Sequence, residues 1–248
     1  MTHGPGPGGP HDSADVPWAG RDLSASGFEA DTGEADAHLR ALLADPGTPD
    51  SVLMAAVETA RFVVPVVAEP TEVDSTGEHA VEKQVDMAAV TLVAPDGQRA
   101  LPAFTGTDAL AAWDAQARPV PVTAARAAQA AVSERCDVVV LDVAGPVTRV
   151  LRPSMVWALA QQRPWQPPHT DPFVAKGVRD ATADEDDVTA VDVEEGRPHG
   201  TGVLGIVLHL RPGMAPEDVR AVATRVGERL AHDGELRARV DGLAFRIV

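Results

Sequence analysis

The chain has 248 residues, of which 44% are hydrophobic, and this favours a folded protein with one large domain or two small ones. The formal net charge is −16, and the lack of a basic stripe disfavours nucleic-acid binding. A single cysteine, Cys136, excludes an intrachain disulfide, no apolar run approaches the ~20 residues that span a bilayer, and the first residues lack a signal-peptide pattern. We therefore expect a cytoplasmic protein without membrane or nucleic-acid partners.

The negative charge is concentrated in two stretches of the chain. Residues 1–60 have a net charge of −8 and residues 178–196 have a net charge of −7, so the remainder is nearly neutral. These stretches are also the least able to form a core, which predicts that their acids lie in solvated tails and linkers. Docking of the acidic segments onto a basic partner is the alternative.

The chain is predicted to begin with an arm and two helices. Residues 1–32 are rich in Gly, Pro, Asp and Ser without any hydrophobic period, which predicts a mostly disordered arm. An apolar pattern then predicts a short helix that ends before Pro46. A second helix should follow, with Thr48 as its cap and Pro49 at its first position.

An antiparallel set of strands is predicted next. Arg61–Ala68 has the apolar composition of a strand, and Pro65 predicts that this strand lies at a sheet edge or has a bulge, because proline has no N–H to donate. Residues 87–94 and 99–104 should form a hairpin around the turn Pro95-Asp96-Gly97.

The pattern then alternates between helices and strands. Thr107 is a predicted helix cap, a second helical run extends from Thr123 through Glu134, and the unbroken apolar run at residues 138–143 predicts a buried central strand. A short strand at residues 147–151 and a helix that begins at Pro153 should follow. These elements predict an α/β (α+β) domain over residues 33–163, with a mixed, partly antiparallel sheet and flanking helices.

Residues 164–200 are rich in proline and then acidic, which predicts a linker. Residues 201–248 predict a small strand–helix–strand unit, in which residues 234–241 are either a short helix or a hairpin arm. A unit of this size is small for independent stability, so it should pack on the first domain or pair in a homo-oligomer.

No motif in the sequence predicts catalysis, a metal site or a cofactor. Gly200-Thr-Gly202-Val-Leu-Gly205 matches G-x-G-x-x-G, but it precedes a predicted strand instead of opening a helix, so nucleotide binding is disfavoured. The histidines are scattered, and His209 should be an exposed or edge-facing strand residue rather than a ligand. Cys136 has no histidine nearby in sequence, which favours a small buried residue over a nucleophile.

Several short motifs resemble a known family. They are Arg61 with Val64-Pro65-Val66, Glu82-Lys83-Gln-Val-Asp86-Met87-Ala88, Leu101-Pro-Ala-Phe104-Thr105, Leu110 with Trp113, and Val140-Leu141-Asp142-Val-Ala144-Gly145-Pro146. In this order they resemble the SseB N-terminal domain family over about residues 36–165, and they are most similar to its actinobacterial members. The resemblance implies an α/β domain without an established activity, and the family name records an enhanced serine sensitivity.

One cluster has the composition of a binding site. Glu82, Lys83, Asp86 and Met87 follow a polar turn and enter a strand, so they are either a binding surface or a salt-bridged turn that fixes the hairpin register. We take them as the predicted binding site of a non-enzymatic interaction or regulatory protein with a protein partner. The alternative function is binding of, or an enzymatic reaction on, an amino acid or related metabolite.

Overall fold

The computed structural model describes residues 27–68 and 87–248. Most of the predicted arm, together with Glu82, Lys83 and Asp86, therefore lies outside the described residues. The chain divides into two units, residues 1–32 and residues 33–248. The described part of the second unit has three hydrophobic clusters, and the two larger ones define an N-terminal part (residues 33–165) and a C-terminal part (residues 166–248).

The N-terminal part combines helices with short strands. Its helices are Ala37–Ala44 (α1), Asp50–Thr59 (α2), Thr107–Trp113 (α3), Ala124–Ser133 (α4) and Pro153–Ala160 (α5). Its strands are Arg61–Ala68 (β1), Met87–Ala89 (β2), Leu92–Val93 (β3), Arg99–Ala103 (β4), Arg118–Thr123 (β5), Val138–Leu141 (β6) and Arg149–Leu151 (β7).

Local capping only partly follows the sequence prediction. A helix is predicted from Thr123, and Thr123 is the N-cap of α4, because its hydroxyl accepts the Arg126 N–H at 3.3 Å. The N-cap residue of α2 is Pro49 and not Thr48, and the N-cap of α3 is Gly106 and not Thr107. Each of these two helices therefore begins without a side-chain cap.

The strands form one antiparallel and one mixed sheet. The first has the order β2-β1-β5 and the second has the order β3-β4-β6-β7, in which β4 and β6 are parallel and the other pairs are antiparallel. A bridge between Val63 and Phe104 connects β1 to the end of β4. The predicted α+β class with a mixed sheet is thus confirmed, as is the central position of β6.

The prediction that Pro65 puts β1 at an edge is wrong, because β1 is paired on both sides. On the side opposite β5, Val63 bonds to Phe104, whereas the Pro65 carbonyl accepts the Val90 N–H at 3.1 Å. Pro65 therefore lies where the neighbour of β1 changes from β4 to β2. A proline costs little at this position, because no carbonyl of either neighbour requires its N–H.

The larger core lies between the sheets and four of the helices. Side chains of α1, α2, α4 and α5 pack there against β1, β4 and β6. On another face, α3 packs against Val63 and Phe104, and the Phe104 and Trp113 rings lie 5.5 Å apart. These two aromatic residues thus pack together in a second, smaller cluster.

The C-terminal part is larger than the predicted strand–helix–strand unit. It contains a 3-10 turn at Pro168–Thr170, helices Pro172–Thr182 (α6), Pro216–His232 (α7) and Gly234–Arg237 (α8), and strands Val188–Glu195 (β8), Val203–Leu210 (β9) and Gly242–Ile247 (β10). The sheet order is β10-β9-β8, with β9 and β10 parallel. Residues 164–200, which the composition predicts to be a linker, thus contribute a helix and a strand to this part.

Some acids of this segment are paired with bases that come later in the chain. Glu185, whose side chain is 5% exposed, binds Arg225 at 2.6 Å and Arg229 at 2.9 Å. Glu194 binds Arg246 at 2.9 Å across β9. Glu185 is therefore not a solvated linker acid, because folding brings two arginines of α7 against it, whereas most of the other acids in residues 178–196 are exposed.

A polar cluster joins the two parts. Asp241, with a side chain that is 7% exposed, accepts hydrogen bonds from the Ser154 N–H at 2.8 Å, the Ser154 hydroxyl at 2.9 Å and Arg152 Nε at 3.0 Å. Arg152 also binds Asp50 at 2.9 Å, and Arg163 forms an ion pair with Glu235. The C-terminal unit therefore packs on the first domain, as one of the two predicted alternatives requires.

Candidate functional site

A crevice of about 320 Å³ lies at the carboxyl ends of the parallel strands β4 and β6. Helices α1 and α3 form two of its sides and the β6–β7 loop forms a third. Its apolar lining is Leu43, Ala44, Ala109, Ala112, Ala144, Pro146 and Val147. In sheets with parallel strands, ligands bind preferentially at this edge.

At the base of the crevice, the carboxylate of Asp142 connects the ends of β4 and β6. Asp142 directly follows β6 and has a left-handed backbone conformation, with φ 50°. Its carboxylate accepts both the N–H and the hydroxyl of Thr105, each at 2.8 Å. A non-glycine residue at positive φ costs free energy. The two bonds from Thr105 and a third from the Gly145 N–H to the Asp142 carbonyl stabilise this conformation and keep the strand ends in place.

The rim of the crevice carries an ion pair between two helices. Arg40 of α1 binds Asp108 of α3 at 2.8 Å, and both side chains are more than half exposed. Partial burial raises the pKa of Asp108, but the hydrogen bonds from the Ala109 N–H and from Arg40 outweigh it and lower that pKa below its ordinary value. Asp108 is therefore anionic at neutral pH beside an accessible guanidinium.

The lining and the rim of the crevice have the composition of a ligand pocket. Both carboxylate oxygens of Asp142 accept hydrogen bonds from Thr105, which fixes the orientation of this carboxylate. The apolar lining can bury a small aliphatic group, and the rim offers one cation and one anion that an incoming ligand can contact. Among the described residues there is no group of three or more His, Cys, Asp or Glu side chains able to hold a metal ion.

A second cavity, of about 370 Å³, lies between the N-terminal and C-terminal parts. Its lining includes Arg149, Arg152, His169 and Glu195. Arg152 is engaged by Asp50, Asp241 and the Gly200 carbonyl, and Arg149 donates to the carbonyls of Leu43 and Asp45. These arginines thus join elements of the fold, and we regard the crevice as the stronger site.

The predicted binding cluster and the crevice differ in their positions. Glu82, Lys83 and Asp86 lie outside the described residues, and Met87 begins β2, where its backbone is paired with Ala68. That prediction stays open. Sequence reasoning missed the crevice, although residues of the motifs that end in Thr105 and Pro146 line it. Each motif runs from the end of an apolar strand into the loop that follows, but the sequence does not show that these two strands are neighbours.

The glycine motif has a structural role. Gly202 has φ 73°, and a Cβ at this position would lie 2.0 Å from Asp241 Oδ2. Glycine is therefore required for the close approach of Asp241 to Arg152. The motif leads into β9 and not into a helix, as its sequence context predicted.

Two further side chains carry groups that are often reactive in proteins. Cys136 is buried, and burial raises the pKa of its thiol despite the opposing effect of the nearby Arg99. His209 lies in the central strand β9, half-exposed, with Nε2 2.9 Å from the Asp192 carboxylate. A buried neutral thiol and a histidine in a cross-strand pair are both structural arrangements.

The fold is an α+β domain with a crevice at the carboxyl ends of its parallel strands. Residues 36–158 match the SseB protein N-terminal domain family. The chain belongs to the SseB family, which confirms the resemblance noted from its motifs. No curated protein and no solved structure matches the chain. No helix in residues 27–68 or 87–248 has both the length and the apolar character to cross a membrane.

Proposed function

We propose that this chain is a non-enzymatic interaction protein that holds part of a partner protein in the crevice of its SseB N-terminal domain. The observation that carries the proposal is the position of the crevice, which is formed by two motif segments at the ends of parallel strands. A small aliphatic side chain of the partner would enter the alanine-lined space. Charged groups beside it would contact Arg40 and Asp108.

A substitution that fills the crevice tests this proposal. Ala112 is exposed, belongs to α3 and lines the crevice, so Ala112→Trp should block it without disturbing the core. Ala111 is also exposed and is its neighbour in α3, but it does not line the crevice, which makes Ala111→Trp the matched control. The full-length chain and both variants would be used for affinity purification and mass spectrometry from the native host.

A partner that is retained by the Ala111→Trp variant and lost by the Ala112→Trp variant would support the crevice as the binding site. A Glu82→Ala, Lys83→Ala double variant tests the other hypothesis, that the predicted cluster is the binding surface, provided that circular dichroism shows the variant to be folded. If this double variant loses the partner while Ala112→Trp retains it, the binding surface is the predicted cluster and the crevice proposal is wrong.

A free amino acid or a related zwitterion is the second candidate ligand. The rim favours it because the Arg40 guanidinium can pair with its carboxylate and Asp108 can pair with its ammonium group, while the aliphatic part enters the lining. A ligand at 100 times its dissociation constant stabilises the folded state by about 2.7 kcal/mol, which a thermal-shift panel that includes serine would detect. A shift that persists in the Ala112→Trp variant would place the ligand elsewhere.

A further inference from the structure

The open sheet edges of the described residues differ in how they are protected against pairing with another chain. Edge strands β2, β3 and β7 are only two or three residues long. Strand β8 contains a register irregularity between Val188 and Ala190 and exposed acids at its outer positions. Short length, irregularity and charge are all devices that disfavour edge-to-edge association.

Edge strand β5 is protected by two prolines. Pro121 faces Val63, whose N–H bonds to Phe104 on the opposite side of β1. In an antiparallel pair, when one of two facing residues directs its backbone groups away from the partner strand, the other does so as well. Pro121, and Pro119 two residues before it, therefore occupy positions at which a backbone N–H would point to the open edge. This edge therefore lacks two of the donors that another strand would need.

Strand β10 has none of these protections. It is six residues long, pairs with β9 in regular register, contains no proline and carries Arg246 as its one charged residue. Arg246 is bound to Glu194 on the outer face of the sheet. Because the Val248 N–H bonds to the Leu208 carbonyl and the Leu210 N–H bonds to the Val248 carbonyl, alternation directs the backbone groups of Leu243, Phe245 and Ile247 to the open edge.

Helix α7 presents an unoccupied face beside this edge. A shallow groove is formed there by Ala223, Gly227 and Ala231 of α7 together with the half-buried Phe245 of β10. Helix α6 packs against α7 elsewhere, so the groove is the side from which another helix can approach. The small side chains allow such an approach to be close.

The charges at the two ends of this groove are complementary to each other. Arg220 and Glu228 line it two helical turns apart, and within the described residues neither forms an ion pair. If two α7 helices pack antiparallel about a two-fold axis, Arg220 of each copy faces Glu228 of the other. The same axis, perpendicular to the sheet, also pairs the two β10 edges antiparallel.

We propose that two copies of the chain associate through β10 and α7, which joins their C-terminal sheets into one continuous sheet. The partner at this surface is a second copy of the chain, because under two-fold symmetry Arg220 of each copy faces the oppositely charged Glu228 of the other. This interface is separate from the crevice, so its failure would leave the proposed partner binding untouched.

Sedimentation velocity of the full-length chain tests the proposal, and we expect a dimer at micromolar concentration. Arg220→Glu replaces two attractive contacts with two repulsive ones, so it should raise the dimer dissociation constant by at least about tenfold. The Arg220→Glu, Glu228→Arg double variant should restore the dimer. Arg126→Glu, on the exposed side of α4, is the matched control and should leave the dimer unchanged.

A second variant tests the strand pairing. Ile247→Pro removes an N–H at the open edge and leaves the N–H groups that bond to β9, so it should produce a folded monomer as judged by circular dichroism. A monomeric wild-type chain would overturn the proposal. A dimer that is insensitive to Arg220→Glu and to Ile247→Pro would do so as well, because it would form at another surface.

Discussion

The carboxylate of Asp241 joins the N-terminal and C-terminal parts, and its removal measures how strongly they are coupled. Asp241 caps α5 through the Ser154 N–H, accepts the Ser154 hydroxyl and pairs with Arg152. Loss of a helix cap costs about 0.5–2 kcal/mol, and loss of a hydrogen bond to a charged group costs about 1.5–3 kcal/mol. Arg152 keeps Asp50 as a partner, so we expect Asp241→Ala to lower the free energy of unfolding by about 3 kcal/mol.

For a chain of this size, such a loss corresponds to a decrease in Tm of about 6–12 °C, which circular dichroism at neutral pH would measure. Asp241→Asn should cost about half as much, because its amide oxygen can still accept the Ser154 N–H while the ionic interaction is lost. Asp184→Ala is the control, since Asp184 is exposed on the C-terminal part. A decrease of less than about 1 kcal/mol for Asp241→Ala would refute the coupling role of this carboxylate.

Three further outcomes follow from the structure. Glu185→Gln should destabilise the protein by about 1–3 kcal/mol at neutral pH. Its arginine partners lower the pKa of Glu185 below its ordinary value of 4.5, so the difference from wild type, measured by urea unfolding, should diminish as the pH falls below that value. Gly202→Ala should cost about 2 kcal/mol or more because it combines backbone strain with a clash against Asp241, whereas Gly200→Ala, with open space around it, should cost about 1 kcal/mol. Cys136 should react with a thiol reagent slowly in the folded state and rapidly in urea, and rapid reaction of the folded protein would contradict its burial.

Elements with a local signal were predictable from the sequence. The stripe of apolar residues in α7 and the apolar run of β6 have the periods of a helix and of a buried strand, and both were found where predicted. Strand β5 was missed because Pro119 and Pro121 argue against a strand. Both prolines lie on an edge with their nitrogens directed outward, and only the pairing partner reveals that position.

The linker prediction illustrates a different limit. Net charge over a window counts only residues that are close in sequence, whereas Glu185 is neutralised by Arg225, 40 positions away. The same segment also contributes Val188, Val191 and Val193 to the core, at spacings that the intervening acids obscure. A charge run therefore indicates a solvated segment only when no complementary run follows in the chain.

The crevice was not predictable because it depends on a parallel pairing between distant strands. Thr105 and Asp142 are 37 positions apart, and nothing local to either residue indicates that β4 and β6 lie side by side. Once they do, both oxygens of the Asp142 carboxylate accept hydrogen bonds from Thr105. The exposed pair of Arg40 and Asp108 adds one cation and one anion at the rim. The strands therefore determine where the crevice lies, and the two helices that flank it supply the charges of its rim.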